Sequence, residues 1–446
     1  MVGHIKATLK LAIPLIVGQL GQMMMGVVDS VMVGRLGAAP LAAASLGNGL
    51  FMIVLLFGTG ITLAISPLVS KSFGEEKMTR CGQVLRQGII ISLGAGLVLT
   101  LIAVLGSDLI RLFGQENDVE QLAIEYSKTL GWSVIPFLVF MSYKQFSEGV
   151  HVMLPGMVVS ILANIFNVFA NWLFIYGNLG LPALGLSGAG WATFWTRVVM
   201  ALAMMLYVAK SVRYRSFSPH LTFRRVRWNM IRHILRVGIP SGIQYLFEVS
   251  AFVASAFMIG WIGKFELAAH QIAINLASIT YMISLGVSMA STVRVARFHG
   301  QGEVRQLRAA GSAAFLLILG FMCVCGLLFV VLHPWLPLLY IEDPVVIEIA
   351  STLILFAALF QLSDGQQAVC LGVLRGLQDV TVPARLTFFA YWLVGIPFGW
   401  LLASTFGFGV RGIWMGLVLG LTASAGFLTW RFYYLTGQLK DGKVRI

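Results

Sequence analysis

Charge is what this 446-residue chain has least of: Lys, Arg, Asp and Glu together make up 11% of it. Ordinary soluble domains carry roughly 25%. Only 18 residues are acidic while 58% are hydrophobic, so composition alone excludes an ordinary soluble domain. Long polar stretches are also missing. The longest, about 210–236, has the size of a linker. Cysteine is scarce: Cys81, Cys323, Cys325 and Cys370 lie in or beside apolar runs and give neither a disulfide framework nor a metal-ligand spacing. The N-terminus has no small-residue cleavage site after a short apolar core, so no removable signal peptide is expected. Basic residues interleaved with aromatics on a soluble surface are absent too, which argues against nucleic acid as a partner despite a formal charge of +13.

What is present is a series of twelve apolar segments, at about 9–34, 41–67, 84–105, 122–147, 154–176, 187–209, 231–260, 267–293, 309–332, 346–372, 380–404 and 411–436. Each can cross ~30 Å of hydrocarbon as a helix. The runs are continuous and lack the short alternating period of a membrane β-barrel. The expected fold class is therefore an all-α polytopic membrane protein of twelve transmembrane helices. Pro14, Pro136 and Pro240 fall inside spans and are expected to bend them. Lys and Arg crowd alternate connections: Lys71 to Arg86, the eight of 210–236, Arg294 to Arg308, Arg375 and Arg385, and Arg431 to Arg445. The opposite connections hold Arg35, Arg111, Lys264 and Arg411, with acids such as Asp108, Glu116 and Asp343. The positive-inside rule then places both termini in the cytoplasm.

The chain repeats itself. At an offset of 226, Leu9 to Pro14 falls on Leu235 to Pro240, Met32-Val-Gly34 on Met258-Ile-Gly260, Leu41-Ala-Ala43 on Leu267-Ala-Ala269, and Gly60 on Gly286. The offset drifts to 227 at Gly149/Gly376 and to 224 at Gly188/Gly412. Six helices are thus duplicated, and an even number per copy keeps the two copies parallel. Parallel repeats flanking a central site are a transporter architecture. The expected domains are a six-helix lobe at 1–209, a cytoplasmic linker at 210–230 and a second six-helix lobe at 231–446.

Three acids lie well inside apolar segments: Asp29, Glu248 and Asp364. Glu248 is 12 residues from Arg236 and 12 from Gly260, about 18 Å of helical rise each way, near the bilayer midplane. A charge there costs at least ~2.5–3.5 kcal/mol, so an intramembrane acid is read as functional by default. Asp29 is shallower, about 9 Å by rise from Arg35. The acids break the repeat, since Asp29 falls on Ser255 and Glu248 on Gln22. Amides accompany them: Gln22, the i,i+4 pair Asn167 and Asn171, and the i,i+4 pair Gln271 and Asn275. Phe252 is one turn from Glu248, and Phe360 one turn from Asp364. These two and Tyr281 are candidates to line the same space. A buried carboxylate must be neutralised by a proton, a metal cation or a cationic ligand. Oxygen donors at Glu248, Asp364, Gln271 and Asn275 suit Na⁺ and equally H⁺. Plain packing remains the alternative for each amide and aromatic.

Taken together, LAIP at 11–14, VVDSVMVGRLG at 27–37, FEV at 247–249, AAHQIAIN at 268–275, and QLSDGQQ at 361–367 with GVLRGLQD at 372–379 resemble the multidrug and toxic compound extrusion family, in its NorM-type branch. The resemblance covers essentially the whole chain. It implies a secondary active antiporter, not an enzyme, in the inner (cytoplasmic) membrane of a bacterium. It would export amphipathic, mostly cationic compounds in exchange for Na⁺ or H⁺ by alternating access, as a monomer without a cofactor. Acids matching Glu248 and Asp364 form a cation site in the second lobe of that branch, as metal ligands where Na⁺ is the coupling ion. The acid matching Asp29 serves as cation-binding carboxylate of the first lobe with Asn167 and Asn171; its shallower depth, open to outside water, adds the expectation that Asp29 gates substrate there through its protonation. Many members carry a second acid where this chain has Asn171, a departure that favours the second lobe for Na⁺. Positions matching Gln22, Phe252, Gln271 and Tyr281 line the drug path. A lipid-linked precursor flippase is the alternative, and it would favour a cationic interior for an anionic headgroup. An intramembrane aspartyl protease needs Gly-x-Gly-Asp, whereas Asp364 follows Leu362-Ser363.

Overall fold

A computed structural model describes residues 1–113, 117–218 and 226–441. Glu116, the centre of the 210–230 linker with Arg224 and Arg225, and Arg445 lie outside the described residues. Among the described residues fifteen α-helices follow one another: α1 Val2–Gly34, α2 Ala38–Thr62, α3 Ile65–Gly74, α4 Met78–Gly106, α5 Asn117–Trp132, α6 Val134–Gly149, α7 Leu154–Tyr176, α8 Gly185–Lys210, α9 Trp228–Ile262, α10 Lys264–Gln301, α11 Val304–Leu332, α12 Pro344–Gly376, α13 Thr381–Phe388, α14 Ile396–Ser404 and α15 Gly409–Lys440. A π-helical stretch, Phe389–Gly395, joins α13 to α14. No β-strand occurs among the described residues.

Eleven of the helical stretches among the described residues are long and apolar enough to cross a membrane. The twelfth expected span is the pair α5 and α6, broken at Ser133. Pro136 accounts for the break: it has no N–H to give the carbonyl of Trp132, so the helix relaxes to the tighter bond Ser133 N to Leu130 O, 2.9 Å. Pro14 and Pro240, by contrast, sit in helices that continue through them.

The duplication is visible in the backbone. At the ends of α3 and α10, Lys77 N bonds Ser72 O (2.9 Å) and Glu303 N bonds Phe298 O (3.0 Å), with left-handed Glu76 and Gly302 between. At the ends of α6 and α12, Val152 N bonds Ser147 O (2.9 Å) and Asp379 N bonds Leu374 O (3.0 Å), with left-handed His151 and Gln378 between. These are helix terminations of one type at offsets of 226 and 227.

The chain packs as two units, residues 1–16 with 243–446, and residues 17–242. Their boundaries fall inside α1 and α9, each two residues past a proline, at repeat-equivalent positions rather than in the 210–230 segment. Close backbone approach explains the division. In the 17–242 unit, a Cβ on Gly60 would lie 2.3 Å from the Gly242 Cα. In the other unit, a Cβ on Gly286 would lie 2.3 Å from the Ile16 Cγ1 and 2.8 Å from its backbone N. Only glycine lets α2 and α10 meet the early turns of α9 and α1 this closely. Each unit has its own apolar core, one around Ala273, Phe360, Trp414 and Leu421, the other around Phe51, Tyr126, Leu138 and Ala189.

Gly60→Leu is therefore expected to destabilise the protein by about 1–3 kcal/mol or more, since the neighbour is backbone and cannot yield. Gly49→Ala, on the same helix where a Cβ meets open space, should be neutral or stabilising by about 0.5–1 kcal/mol. Thermal unfolding followed by tryptophan fluorescence checks both. Equal melting of the two variants would show that the contact carries no stability.

Candidate functional site

Glu248 lies in the middle of α9, 5% exposed, and its Oε1 accepts from two neighbours. Tyr281 of α10 donates through its hydroxyl at 3.3 Å, and Gln367 of α12 through Nε2 at 3.4 Å. Gln367 in turn accepts from the Tyr391 hydroxyl at 3.1 Å. Tyr391 belongs to the π-helical stretch, where Pro397 removes the N–H that would have closed an α-helical bond to Leu393. A wide turn of this kind often marks a functional position. Asp364, 4% exposed, is one turn before Gln367 on α12 and close enough for its charge and that of Glu248 to repel. The second oxygen of Glu248 has no hydrogen-bond partner among the described residues, and neither has Nε2 of Gln361, whose Oε1 accepts from Thr280 at 2.7 Å. One buried carboxyl with an open oxygen thus faces hydroxyl and amide groups, with a second buried carboxyl in electrostatic reach. No cluster of three or more His, Cys, Asp or Glu able to hold a metal occurs among the described residues.

The other expected members are distributed around this centre. Phe252 is half-buried and meets Phe360 edge-on at 5.9 Å and Tyr391 at 6.0 Å. Phe360 itself is packed in the core against Trp414, at 5.9 Å, and offers no open surface. Gln271 and Asn275 lie on the exposed face of α10, and Asn275 Nδ2 is turned to the Gln271 carbonyl at 3.0 Å. They stand about 15 and 9 Å of helical rise from Tyr281, and the side-chain partners of Glu248 among the described residues are Tyr281 and Gln367 instead. Gln22 is half-buried in the 17–242 unit, with Nε2 unpartnered among the described residues.

In that unit Asp29 of α1 is 9% exposed. Its Oδ1 accepts from Asn171 Nδ2 at 2.6 Å, and its Oδ2 from the Thr193 hydroxyl of α8 at 3.2 Å. Asn171 also donates to Asn167 Oδ1 at 3.2 Å. The expected trio is therefore assembled, with Thr193 added.

Several groups escaped the sequence reading. Gln367 and Tyr391 carry no charge and no distinctive spacing. Arg375, counted there as a loop cation, is buried at the end of α12, over the Tyr245 ring at 5.9 Å and within electrostatic reach of Glu248. Lys144 and Glu148 form a buried pair at 3.6 Å, with Lys144 also donating to Gln19 at 3.3 Å. Arg197, inside the apolar run of α8, acts electrostatically on Asp29. Counting intramembrane cations alongside intramembrane acids would have found the last three.

The sequence profile of the MatE family matches residues 14–173 and 240–401. A probable multidrug resistance protein NorM of Mesorhizobium japonicum is 36% identical over 438 residues, 96% of this chain and 93% of that protein. The multidrug resistance protein MdtK of Yersinia pseudotuberculosis is 34% identical over 97% of this chain and 96% of its own length. Among solved structures, the eukaryotic MATE transporter AtDTX14 superposes with a TM-score of 0.90 over 99% of this chain and 98% of that one, at 21% identity. A MOP superfamily transporter from Pyrococcus furiosus, described as having a binding pocket of reversed polarity that suggests a different function, gives 0.88 over 98% and 97% at 22% identity. At such identities the structural likeness speaks for the fold alone.

The hydrogen-bond chain Tyr391–Gln367–Glu248 makes a stability prediction. Tyr391→Phe should cost about 0.5–1.5 kcal/mol, the net worth of one bond. Gln367→Leu leaves the Tyr391 hydroxyl buried without its acceptor and should cost about 1–3 kcal/mol. In the double variant the orphaned hydroxyl is gone, so its melting temperature should lie above that of Gln367→Leu alone. Strictly additive losses would break the chain as drawn.

Proposed function

The chain belongs to the MatE family and is a multi-pass membrane transporter, not an enzyme; from that premise we propose that it is a multidrug efflux antiporter exporting amphipathic, mostly cationic compounds in exchange for Na⁺ or H⁺ by alternating access. The observation that carries the reading is the pair Glu248 and Asp364, two acids buried in the apolar spans with one open carboxylate oxygen between hydroxyl and amide groups. The names of its relatives, multidrug resistance proteins, support drugs as cargo, and the buried acids support a cationic one. The organisation into six-helix lobes at 1–209 and 231–446, with the 210–230 linker between, belongs to this reading. So do both termini in the cytoplasm, the bacterial inner membrane and action as a monomer.

The mechanism is competition for negative charge. Two carboxylates in a low-dielectric site repel each other and attract any cation that reaches them. A coupling ion bound there neutralises the pair; a cationic substrate arriving from the other side displaces it. Tyr281 and Gln367 hold the Glu248 carboxylate in place, and Tyr391 holds Gln367, so the site keeps its shape while its occupant changes. Na⁺ finds oxygen ligands in Glu248 and Asp364, and H⁺ finds the same oxygens. Phe252, beside the acids, offers an aromatic face to the apolar part of a substrate. Asp29, with Asn167 and Asn171, gates substrate in the first lobe. Each elementary charge moved down the membrane potential supplies ~2.3 kcal/mol per 100 mV, enough to drive such an exchange.

Glu248→Gln and Asp364→Asn keep shape and remove charge. Each is expected to abolish ion-driven dye efflux from proteoliposomes while the protein inserts and melts as a folded species. Imposing a Na⁺ gradient and a pH gradient separately identifies the coupling ion. Efflux at the parent rate in both variants, under both gradients, would remove these acids from the mechanism.

A further inference from the structure

Arg197 is an intramembrane cation for which the exchange at Glu248 and Asp364 has no use. It stands one turn after Thr193 on α8, on the face whose Thr193 hydroxyl reaches Asp29. Its guanidinium lies over two rings, Phe51 of α2 at 5.2 Å and Phe137 of α6 at 4.8 Å. Its only hydrogen bond among the described residues goes to Ser133 Oγ, 2.7 Å, at the break between α5 and α6. Its charge acts on Asp29, and the charges of both act on Tyr126, a buried phenol of α5.

We propose that Arg197 is the resident counter-cation of Asp29: it balances the first-lobe carboxylate from within the protein, so that no external cation is held there and cation exchange is confined to Glu248 and Asp364.

The charges of the two halves support this. Around Asp29, Arg197 is the one charged group whose charge reaches the acid among the described residues, so one negative charge faces one positive. Around Glu248 and Asp364, Arg375 is the one cation whose charge reaches either acid among the described residues. Two negative charges against one positive leave a deficit of one cation there, and none around Asp29. The repeat shows how the difference arose. At the local offset of 227, Phe137, which stacks on Arg197, falls on Asp364; at 224, Arg197 falls on Leu421. One half has an aromatic ring and an arginine where the other has an acid and a leucine. Cation–π contacts with two rings also lower the cost of keeping a guanidinium away from water without neutralising it, so it still acts on Asp29, the acid that Thr193, one turn before it, holds.

This inference rests on the proposed cation exchange only for the role of Glu248 and Asp364, and its test needs no transport. The full chain is purified in lipid nanodiscs with Glu248→Gln and Asp364→Asn combined, which removes the second-lobe charges. Radiolabelled Na⁺ and tetraphenylphosphonium are the probes. With Arg197 present, neither probe should bind saturably. Adding Arg197→Gln should create saturable binding of at least one probe, and Asp29→Asn on top should abolish it. Arg197→Lys, which keeps the charge, and Ser133→Ala, which removes only the hydrogen bond, should create none. Asp29-dependent binding with Arg197 intact, or no binding after Arg197→Gln, would overturn the proposal. A second readout holds if Arg197→Gln alone folds poorly. In the otherwise unaltered chain, Asp29→Asn with Arg197→Gln should melt above the less stable of the two single variants, because both unpaired charges are gone. Additive losses would show that Arg197 serves only to tie α8 to Ser133 and the two rings.

Discussion

A charge held within apolar membrane spans must be neutralised, and that constraint governs the arrangement of the polar groups in this protein. Intramembrane acids and cations are costly one by one and tolerable only when paired or bonded. Asp29 meets two side-chain donors and an arginine, and Glu148 meets Lys144. Glu248 meets a tyrosine and a glutamine and feels Arg375. Asp364 has the company of another acid. Its one charged neighbour in electrostatic reach among the described residues is of like sign.

The scaffold that holds these groups depends on backbone contact rather than on side chains. α1 and α9 each begin in one packing unit and end in the other, and the change falls two residues past Pro14 and Pro240. The early turns of both helices lie against glycines, Gly286 and Gly60, at distances no side chain would allow. A proline leaves one carbonyl of its helix without a partner, and the nearby close contact fixes the helix on either side. Gln22, Asp29 and Glu248 all lie just beyond these points, so the direction each helix takes after its proline sets where the site residues stand.

The number of spans, the repeat and the three acids were legible because hydrophobic runs, glycines and intramembrane charges leave one-dimensional marks. The bonding of Asp29 to Asn171 could be read as well, since both lay in first-half segments and polar groups in a membrane seek each other. Gln271 and Asn275 show the limit. Their i,i+4 spacing identified a common face of α10, but a face has no direction until its neighbours are known, and this one is exposed with Asn275 bonded to its own helix. Gln367 was hidden for the opposite reason. It follows Gln366 directly, and only the packing of α12 decides which of the two reaches Glu248 and which reaches Thr429. Tyr391 owes its position to a π-helical turn, a local change of period that a pattern of apolar residues does not record.

Duplication supplies two equal backbones, and equal halves could not by themselves couple an ion to a substrate, because a ligand shifts a conformational equilibrium only through a difference in its affinity for the states. Here the halves keep the same helix ends and glycine contacts but exchange chemistry at a few matched positions. Gln22 matches Glu248, Asp29 matches Ser255, Phe137 matches Asp364, and Glu148 matches Arg375. Each pair differs in charge, and at Phe137 and Asp364 the path differs as well, since the first half breaks its helix at Ser133 where α12 runs on. Fold likeness alone therefore says little about cargo. In this chain two acids, Glu248 and Asp364, stand against one cation in electrostatic reach, Arg375, among the described residues.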